Sequence, residues 1–196
     1  AAQLAAAMLE LQARGCHNIN LVTPSHVVPQ ILGALVLAAK DGLCLPLVYN
    51  SSGYDKLETL QLLDGVVDIY MPDVKFFNPD IAGAACDADN YGIIVKQALR
   101  EMHRQVGDLI IDEHGLAQSG LLVRHLVLPE GRADTRAVMD FIVKELSGQT
   151  YVNVMSQYRP RGRADRIPAL TRPVLPEEYR QALDDTRAAG LQRLDK

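Results

Sequence analysis

The chain of 196 residues lacks several features that mark specialised classes of protein. It has no tryptophan, three phenylalanines and only three cysteines, Cys16, Cys44 and Cys86. An odd number of widely spaced cysteines excludes a disulfide framework and provides no metal-ligand spacing. The longest apolar runs, such as residues 31–39, are far shorter than a membrane span, and no segment has the pattern of a signal peptide. We therefore expect a globular cytoplasmic protein with no membrane partner.

An excess of positive charge is also missing. Lysine and arginine number 20 against 24 acidic residues, which gives a formal net charge of −4 and a pI near 5.7. This balance argues against nucleic acid as the main partner. The exception is residues 159–172, with five arginines and one acid. We interpret this segment as a solvated connector, and a contact with phosphate or nucleic acid is the alternative.

What the chain does contain is a repeated unit, a short apolar strand followed by a polar loop and an amphipathic helix. Predicted strands cover residues 18–22, 45–49, 67–71, 121–128 and 151–155. Predicted helices cover residues 27–41, 55–64, 90–106, 133–147 and 176–189. Strands that are apolar on both faces and separated by helices are typical of a parallel sheet.

This pattern predicts one α/β domain over residues 1–196, a partial or complete (β/α) barrel, with an open doubly wound sheet as the alternative. Residues 108–116 interrupt the pattern and predict a small hairpin. The first residues have the apolar periodicity of a helix, with Leu4, Met8 and Leu11 on one face and no strand before them. We interpret this opening as the remainder of a longer chain.

Every predicted strand carries polar residues in its last part or directly after it, at the edge where parallel α/β proteins carry their chemistry. Ser25 and Asp55, two residues of these loops, are also suited to cap the helices that follow them. The polar groups are at residues 23–26, 50–54, 73 and 75, 124 and 125, and 156–159.

The charged residues of this edge have both structural and functional interpretations. Asp73 and Lys75 are two apart on a strand, so both face the same side and can form an ion pair. Charges directed into a barrel mouth are costly unless a ligand uses them, which favours a binding role. Arg124 lies in an apolar strand and needs a partner such as a carboxylate or phosphate. His125 points the other way and is predicted to be a packing residue.

Three phrases in order carry a resemblance to a known family: Asn-Ser-Ser-Gly-Tyr, Asp-Ile-Tyr-Met-Pro-Asp-Val-Lys-Phe and Val-Arg-His-Leu-Val-Leu-Pro-Glu-Gly. They resemble radical S-adenosylmethionine enzymes of the pyruvate formate-lyase-activating-enzyme branch. The resemblance extends over nearly the whole chain. It implies a partial barrel, a TIM-barrel-like core, that holds S-adenosylmethionine and a [4Fe–4S] cluster.

The resemblance also implies which residues bind the cofactor. Residues 50–53 match the family's third-strand motif, with asparagine in place of its acid. Residues 73–75 match Asp-Leu-Lys, Arg124 matches a clamp for the methionine carboxylate, and Gln157 stands where activases have a ribose-contacting histidine. The predicted cofactor-binding residues are Asn50, Ser51, Ser52, Asp73, Lys75, Arg124 and Gln157.

The main departure from the family is the absence of its Cys-x3-Cys-x2-Cys motif, whose thiolates hold the cluster. Cys16 and Cys44 are predicted to be small core residues and Cys86 to lie in a loop, so we assign no metal ligand and no catalytic residue. The cluster is expected in the full-length protein, and the 196-residue chain alone is expected to be inactive.

For a complete enzyme, the resemblance implies a 5′-deoxyadenosyl radical that abstracts hydrogen from a substrate. The implied partners are a glycyl-radical enzyme, or another protein or small-molecule substrate, and an electron donor such as flavodoxin. Three alternatives remain open. One is a barrel lyase or isomerase that uses Lys75, another is a scaffold without a cluster, and the third is a nucleic-acid module built on residues 159–172.

Overall fold

The structure, a computed structural model, describes residues 1–195 as alternating helices and strands. The helices are α1 (Ala2–Ala13), α2 (Val28–Lys40), α3 (Leu57–Gln61), α4 (Pro79–Cys86), α5 (Tyr91–Val106), α6 (Thr135–Glu145) and α7 (Pro176–Ala188). The strands are β1 (Ile19–Val22), β2 (Leu47–Ser51), β3 (Ile69–Val74), β4 (Ile110–Ile111), β5 (Ala117–Leu126), β6 (Tyr151–Met155) and β7 (Arg193–Leu194). No helix within residues 1–195 is long and apolar enough to cross a membrane.

One sheet contains all seven strands, in the order β1-β2-β3-β5-β6-β7 with β4 paired to β5. Every pair along this order is parallel, and β4 alone runs antiparallel to its neighbour. Each parallel connection needs a crossover, and the helices provide it. The carboxyl ends of the six parallel strands therefore meet at one edge of the sheet.

The helices cover one face of the sheet. Strand residues such as Tyr49, Tyr70 and Val123 pack in one core with residues of helices α3 to α7. A second core joins α1 and α2 to Ile19 and Leu47 of the same face. A doubly wound sheet would carry helices on both faces. The one-sided arrangement confirms the partial (β/α) barrel and excludes the open alternative.

The other face of the sheet is concave and only partly filled. Side chains of register partners on parallel strands lie on the same face, so the pairs Asn50↔Met71 and Asp73↔Arg124 place all four residues there. At its lower end this face is closed by a small apolar cluster that includes Leu109. Towards the carboxyl edge the concave face becomes polar.

One segment differs from the prediction and another confirms it. Helix α4 was not predicted, although Asn78 caps it by accepting from the backbone N–H groups of Asp80 and Ile81. The predicted hairpin is confirmed as β4 and the start of β5, with the Asp112 carboxylate accepting two backbone N–H groups of the turn.

The predictions for the three cysteines were wrong. Cys44 is exposed and Cys16 is half-buried, so neither is a core residue. Cys86 is the last residue of α4 rather than part of a loop, and it is exposed. All three residues are free thiols.

His125 joins the sheet to α6 and has no exposed surface. Its Nδ1 lies 2.8 Å from the Val74 carbonyl, and its Nε2 lies 3.0 Å from the Thr135 hydroxyl. Because a carbonyl can only accept, Nδ1 carries the proton and Nε2 accepts from the hydroxyl. This confirms the predicted packing role. Burial lowers the pKa of His125 to about 4, despite the opposing hydrogen bond to Val74.

This depressed pKa makes the fold sensitive to mild acid. The neutral imidazole stabilises the folded state fully above pH 6.5, and this stability is lost as the pH falls toward about 4, because the unfolded histidine takes up a proton first. We expect the free energy of unfolding, measured in urea, to fall by about 2 kcal/mol between roughly pH 7 and pH 5. A His125→Gln variant should lose this slope.

The matched control is His17→Gln, since His17 is exposed. It should show the same pH dependence as the unmodified protein. An unchanged slope in the His125 variant would contradict the assignment.

Candidate functional site

Three charged side chains form an ion cluster on the concave face near the carboxyl edge. The guanidinium of Arg124 donates to Oδ1 of Asp73 from Nε at 2.8 Å and contacts it from Nη2 at 2.6 Å. The ammonium of Lys75 donates to Oδ2 of the same carboxylate at 3.0 Å. About a quarter to a third of each side chain remains exposed, 23% for Asp73, 30% for Arg124 and 31% for Lys75. We call this group the rim ion cluster.

The cluster carries a net charge of +1, since two cations share one carboxylate. Partial burial weakens solvent screening, so these charges act more strongly than exposed ones. Within residues 1–195, Nη1 of Arg124 has no hydrogen-bond partner. The cluster can therefore accept a further anion, and a carboxylate fits an arginine fork.

Tyr91, the first residue of α5, fixes the backbone below the cluster. Its hydroxyl lies 2.8 Å from the Ser52 carbonyl and 2.9 Å from the Asp73 carbonyl, so one proton is shared between two acceptors. The same oxygen accepts from the backbone N–H of Lys75 at 3.3 Å. Burial raises the pKa of Tyr91 above its ordinary value, with the nearby Asp73 charge adding to the effect. Tyr91 thus ties the loop after β2 to the end of β3.

The same loop approaches β3 so closely that it needs a glycine. A Cβ on Gly53 would lie 2.7 Å from the Asp73 carbonyl oxygen and 2.8 Å from the side chain of Val95. Gly53 also has a φ of +73°, which side-chain-bearing residues rarely adopt. The contact sets the distance between the loop and the rim ion cluster.

Four other predicted cofactor-binding residues take different positions. Asn50 belongs to the concave face by its register, and Ser52 follows in the loop with an exposed side chain. Gln157 lies two residues beyond β6 and is exposed. Ser51 is buried, and its hydroxyl donates to Asp55 at 2.6 Å. The structure therefore brings Asp73, Lys75 and Arg124 together and separates Ser51 from them.

Asp55 is the centre of a buried hydroxyl cluster on the helix-covered side. Its Oδ1 accepts from Ser25 at 2.5 Å and from the Tyr49 hydroxyl at 2.9 Å, and its Oδ2 accepts from Ser51. Burial first and the Asp55 charge second raise the pKa of Tyr49 above its ordinary value. The predicted capping roles of Ser25 and Asp55 were wrong, because neither forms a side-chain cap. They join β2 to the loop after β1.

Residues 159–172, the arginine connector, lie between β6 and α7 and are tied down at both ends. The Tyr158 hydroxyl donates to the Leu170 carbonyl at 2.8 Å. Arg172 donates two hydrogen bonds to Glu178 of α7, each of 2.8 Å. These bonds, with two backbone N–H donors, lower the pKa of Glu178 to about 2. The connector is therefore closed into a loop near its two ends and joined to α7.

No group of three or more histidine, cysteine or acidic side chains within residues 1–195 is arranged to hold a metal ion. Cys16 and Cys44 lie before β1 and β2, at the opposite edge from the rim ion cluster, and Cys86 ends α4. The chemistry available among these residues is binding and orientation of a charged ligand.

Two comparisons relate the chain to known proteins, and no protein-family model matches it. An uncharacterized protein of Methanocaldococcus jannaschii is 35% identical over 170 residues, which are 85% of this chain. The matched region is 45% of that protein, so the chain spans less than half the length of this relative.

The solved structure of a domain of pyruvate-formate lyase-activating enzyme from Bacteroides vulgatus superposes with a TM-score of 0.64. The superposition covers 91% of this chain and 99% of that domain, at 11% sequence identity. At this identity the likeness establishes the fold. The resemblance noted in the sequence is thereby supported in its coarse form, a domain folded like that of an activating enzyme.

Sequence reasoning missed Tyr91, and its role gives a test of how the site is held. A Tyr91→Phe substitution keeps the ring but leaves two partly buried carbonyls without this donor, which costs about 1–3 kcal/mol. We expect that loss in the free energy of unfolding measured in urea. The control is Tyr54→Phe, since Tyr54 is 42% exposed and stacks on Tyr91 with centroids 6.0 Å apart.

The control substitution should cost under about 0.5 kcal/mol, because the hydrogen bond that the Tyr54 hydroxyl donates to Asn90 at 2.7 Å is exposed and water can replace it. Equal losses in the two variants would show that the Tyr91 hydroxyl does not hold the loop to β3.

Proposed function

We propose that the carboxyl edge of this partial barrel binds S-adenosylmethionine, as part of a radical S-adenosylmethionine protein similar to pyruvate formate-lyase-activating enzymes. The observation that carries the proposal is the rim ion cluster of Asp73, Lys75 and Arg124. It stands at the edge where parallel α/β folds bind ligands, in a fold shared with an activating-enzyme domain. The sequence phrases around these residues support the same conclusion.

The charges of the cofactor are complementary to those of the cluster. S-adenosylmethionine carries a carboxylate, an ammonium and a sulfonium group. Arg124 has N–H groups left over from its bond to Asp73 and would hold the carboxylate. Asp73 would lie near the positive groups, and Lys75 would keep the Asp73 carboxylate in position. Asn50 and Ser52 are the nearby polar groups proposed for the remainder of the cofactor.

The iron–sulfur cluster of such enzymes does not fit the residues that the structure describes. Three thiolates must converge on three irons, whereas Cys16, Cys44 and Cys86 lie on three separate parts of residues 1–195. No step is therefore derived through a cluster. In this class of enzyme S-adenosylmethionine supplies the hydrogen-abstracting group, and the residues of this chain would bind and orient it.

The partners of the whole protein are expected from the resemblance alone. The predicted substrate, a glycyl-radical enzyme or another protein or small molecule, stays a prediction, and so does an electron donor such as flavodoxin. Lys75 as a Schiff-base nucleophile is the competing proposal. The rim ion cluster does not favour it, because the Lys75 ammonium is engaged by Asp73 at 3.0 Å and would first have to leave that carboxylate.

The test is a calorimetric titration of the chain with S-adenosylmethionine and, separately, with adenosine. We expect saturable binding of S-adenosylmethionine. An Arg124→Gln variant should bind it about tenfold more weakly, because one charge-assisted contact is lost. Adenosine has no carboxylate, so its binding should not change in this variant.

The matched control is Arg100→Gln, since Arg100 pairs with Glu145 on the helical surface with 48% of its side chain exposed. Unaltered affinity for S-adenosylmethionine in Arg124→Gln would contradict the assigned contact. Absence of saturable binding would contradict the proposed function itself. Trapping of a carbonyl substrate on Lys75 by borohydride would favour the competing proposal.

A further inference from the structure

A cavity of about 630 Å³ lies beside the rim ion cluster. Its walls come from the ends of β3 and β5, the end of α4 and the arginine connector. Lys75 lines this cavity and also belongs to the rim ion cluster, so the two regions are adjacent. Cavities of this size accept small organic ligands.

The cavity is strongly basic although the chain as a whole is acidic. Lys75, Arg159, Arg161 and Arg163 line it, and Asp87 is the acid among its lining residues. Within residues 1–195, the side chains of Arg161 and Arg163 have no hydrogen-bond or ion-pair partner. Arg159 donates only to the backbone carbonyl of Tyr158. Three guanidinium groups are thus gathered without an acidic partner.

Hydrogen bonds near both ends of the arginine connector hold it in place. The Tyr158 hydroxyl, just before the connector, donates to the Leu170 carbonyl, and Arg172, its last residue, binds Glu178 of α7. Between these ties the backbone turns at Ala164–Arg166 and Pro168–Leu170. Like charges repel in water and a free loop would spread them. The ties keep Arg161 and Arg163 at the cavity.

The remaining walls of the cavity are apolar. Phe76 and Leu170 are buried at its base, and Leu126, Leu128 and Ile167 add further apolar surface. A ligand that fits both kinds of wall needs an apolar body and a charged end. An inorganic ion would leave the apolar walls uncovered.

We propose that this cavity binds a small organic molecule that carries a phosphate group, with its apolar body against Phe76 and Leu126 and its phosphate near Arg159, Arg161 and Arg163. If the proposed function holds, this molecule is a small-molecule substrate, in place of a glycyl-radical enzyme. The cavity is formed by the residues of this chain, so its binding of a phosphate can be measured without S-adenosylmethionine.

Phosphate fits this arrangement better than a carboxylate does. A phosphate monoester has three terminal oxygens and about two negative charges at neutral pH, which matches three arginines. A carboxylate has two oxygens and one charge. S-adenosylmethionine carries no phosphate, and its single carboxylate is already matched by Arg124. The cavity is therefore not explained by the cofactor.

The test is a calorimetric titration of the chain with phenyl phosphate, phenylmalonate and inorganic phosphate in turn. Phenylmalonate has a similar body and two negative charges but no tetrahedral phosphate. We expect phenyl phosphate to bind saturably, more tightly than either of the others and more weakly as salt is added. Arg161→Gln and Arg163→Gln should each weaken it about fivefold to tenfold, and the double variant further.

The matched control is Arg14→Gln, since Arg14 is an exposed arginine of the α1 end with 70% of its side chain accessible. It should bind phenyl phosphate as the unmodified chain does. Melting temperatures of all variants should agree, because Arg161 and Arg163 are exposed and unpaired. If a variant melts early, Arg163→Lys, which keeps the charge and loses the fork, should give intermediate affinity.

Three outcomes would overturn the proposal: no saturable binding of phenyl phosphate, equal binding of phenylmalonate, or unaltered affinity in the double variant. None of these outcomes bears on the proposed function, because S-adenosylmethionine binding is measured in a separate titration. Phosphate binding without S-adenosylmethionine binding would keep this cavity and reject the cofactor site. The reverse result would keep the cofactor site and reject this cavity.

Discussion

The arrangement of charges at the carboxyl edge of the sheet depends on one carboxylate, that of Asp73, which forms ion pairs with two cations at once. Each of its oxygens binds a different cation, Arg124 of the neighbouring strand β5 or Lys75, which directly follows β3. Without that carboxylate the two cations would face each other half-buried, which disfavours both. The position of Asp73 is in turn fixed from below, where Tyr91 binds its carbonyl and Gly53 lets the preceding loop come close. The charges are therefore held by the backbone as well as by each other.

The architecture could be predicted from the sequence because each strand and helix has a recognisable pattern within its own residues. Apolar strands and amphipathic helices alternate, and the five predicted strands all appear, with β5 beginning and ending earlier than expected. The pairing of Asp73 and Lys75 was predicted from strand alternation and is present, although β3 ends at Val74 and Lys75 lies one residue beyond it. The bond between Asp73 and Arg124 did not, because it depends on the register of β3 and β5 across 51 residues. Tyr91 was missed for the same reason, since its partners lie 18 and 39 residues away.

Wrong predictions concentrate where a local motif competes with a long-range contact. Ser25 and Asp55 each precede a helix and have the right chemistry for a cap. In the fold they bind each other across 30 residues, because a buried carboxylate needs donors and Tyr49 and Ser51 supply two more. That cluster also places Ser51 on the helix-covered side. Helix α4 was not predicted because its segment is rich in alanine and glycine and lacks a clear apolar stripe. Asn78 and Pro79 are nevertheless residues typical of a helix start.

Lys75 links the two candidate binding regions, since it contacts Asp73 on one side and lines the basic cavity on the other. Because Lys75 lines the same cavity as the three arginines, a phosphate bound near them would also attract this ammonium away from Asp73. Asp73 would then rely on Arg124 alone, and the N–H groups that Arg124 offers to a carboxylate would be drawn more strongly to Asp73. Binding in the cavity would therefore alter binding at the rim through a single shared side chain. By reciprocity, a ligand at the rim would change the affinity of the cavity by the same factor.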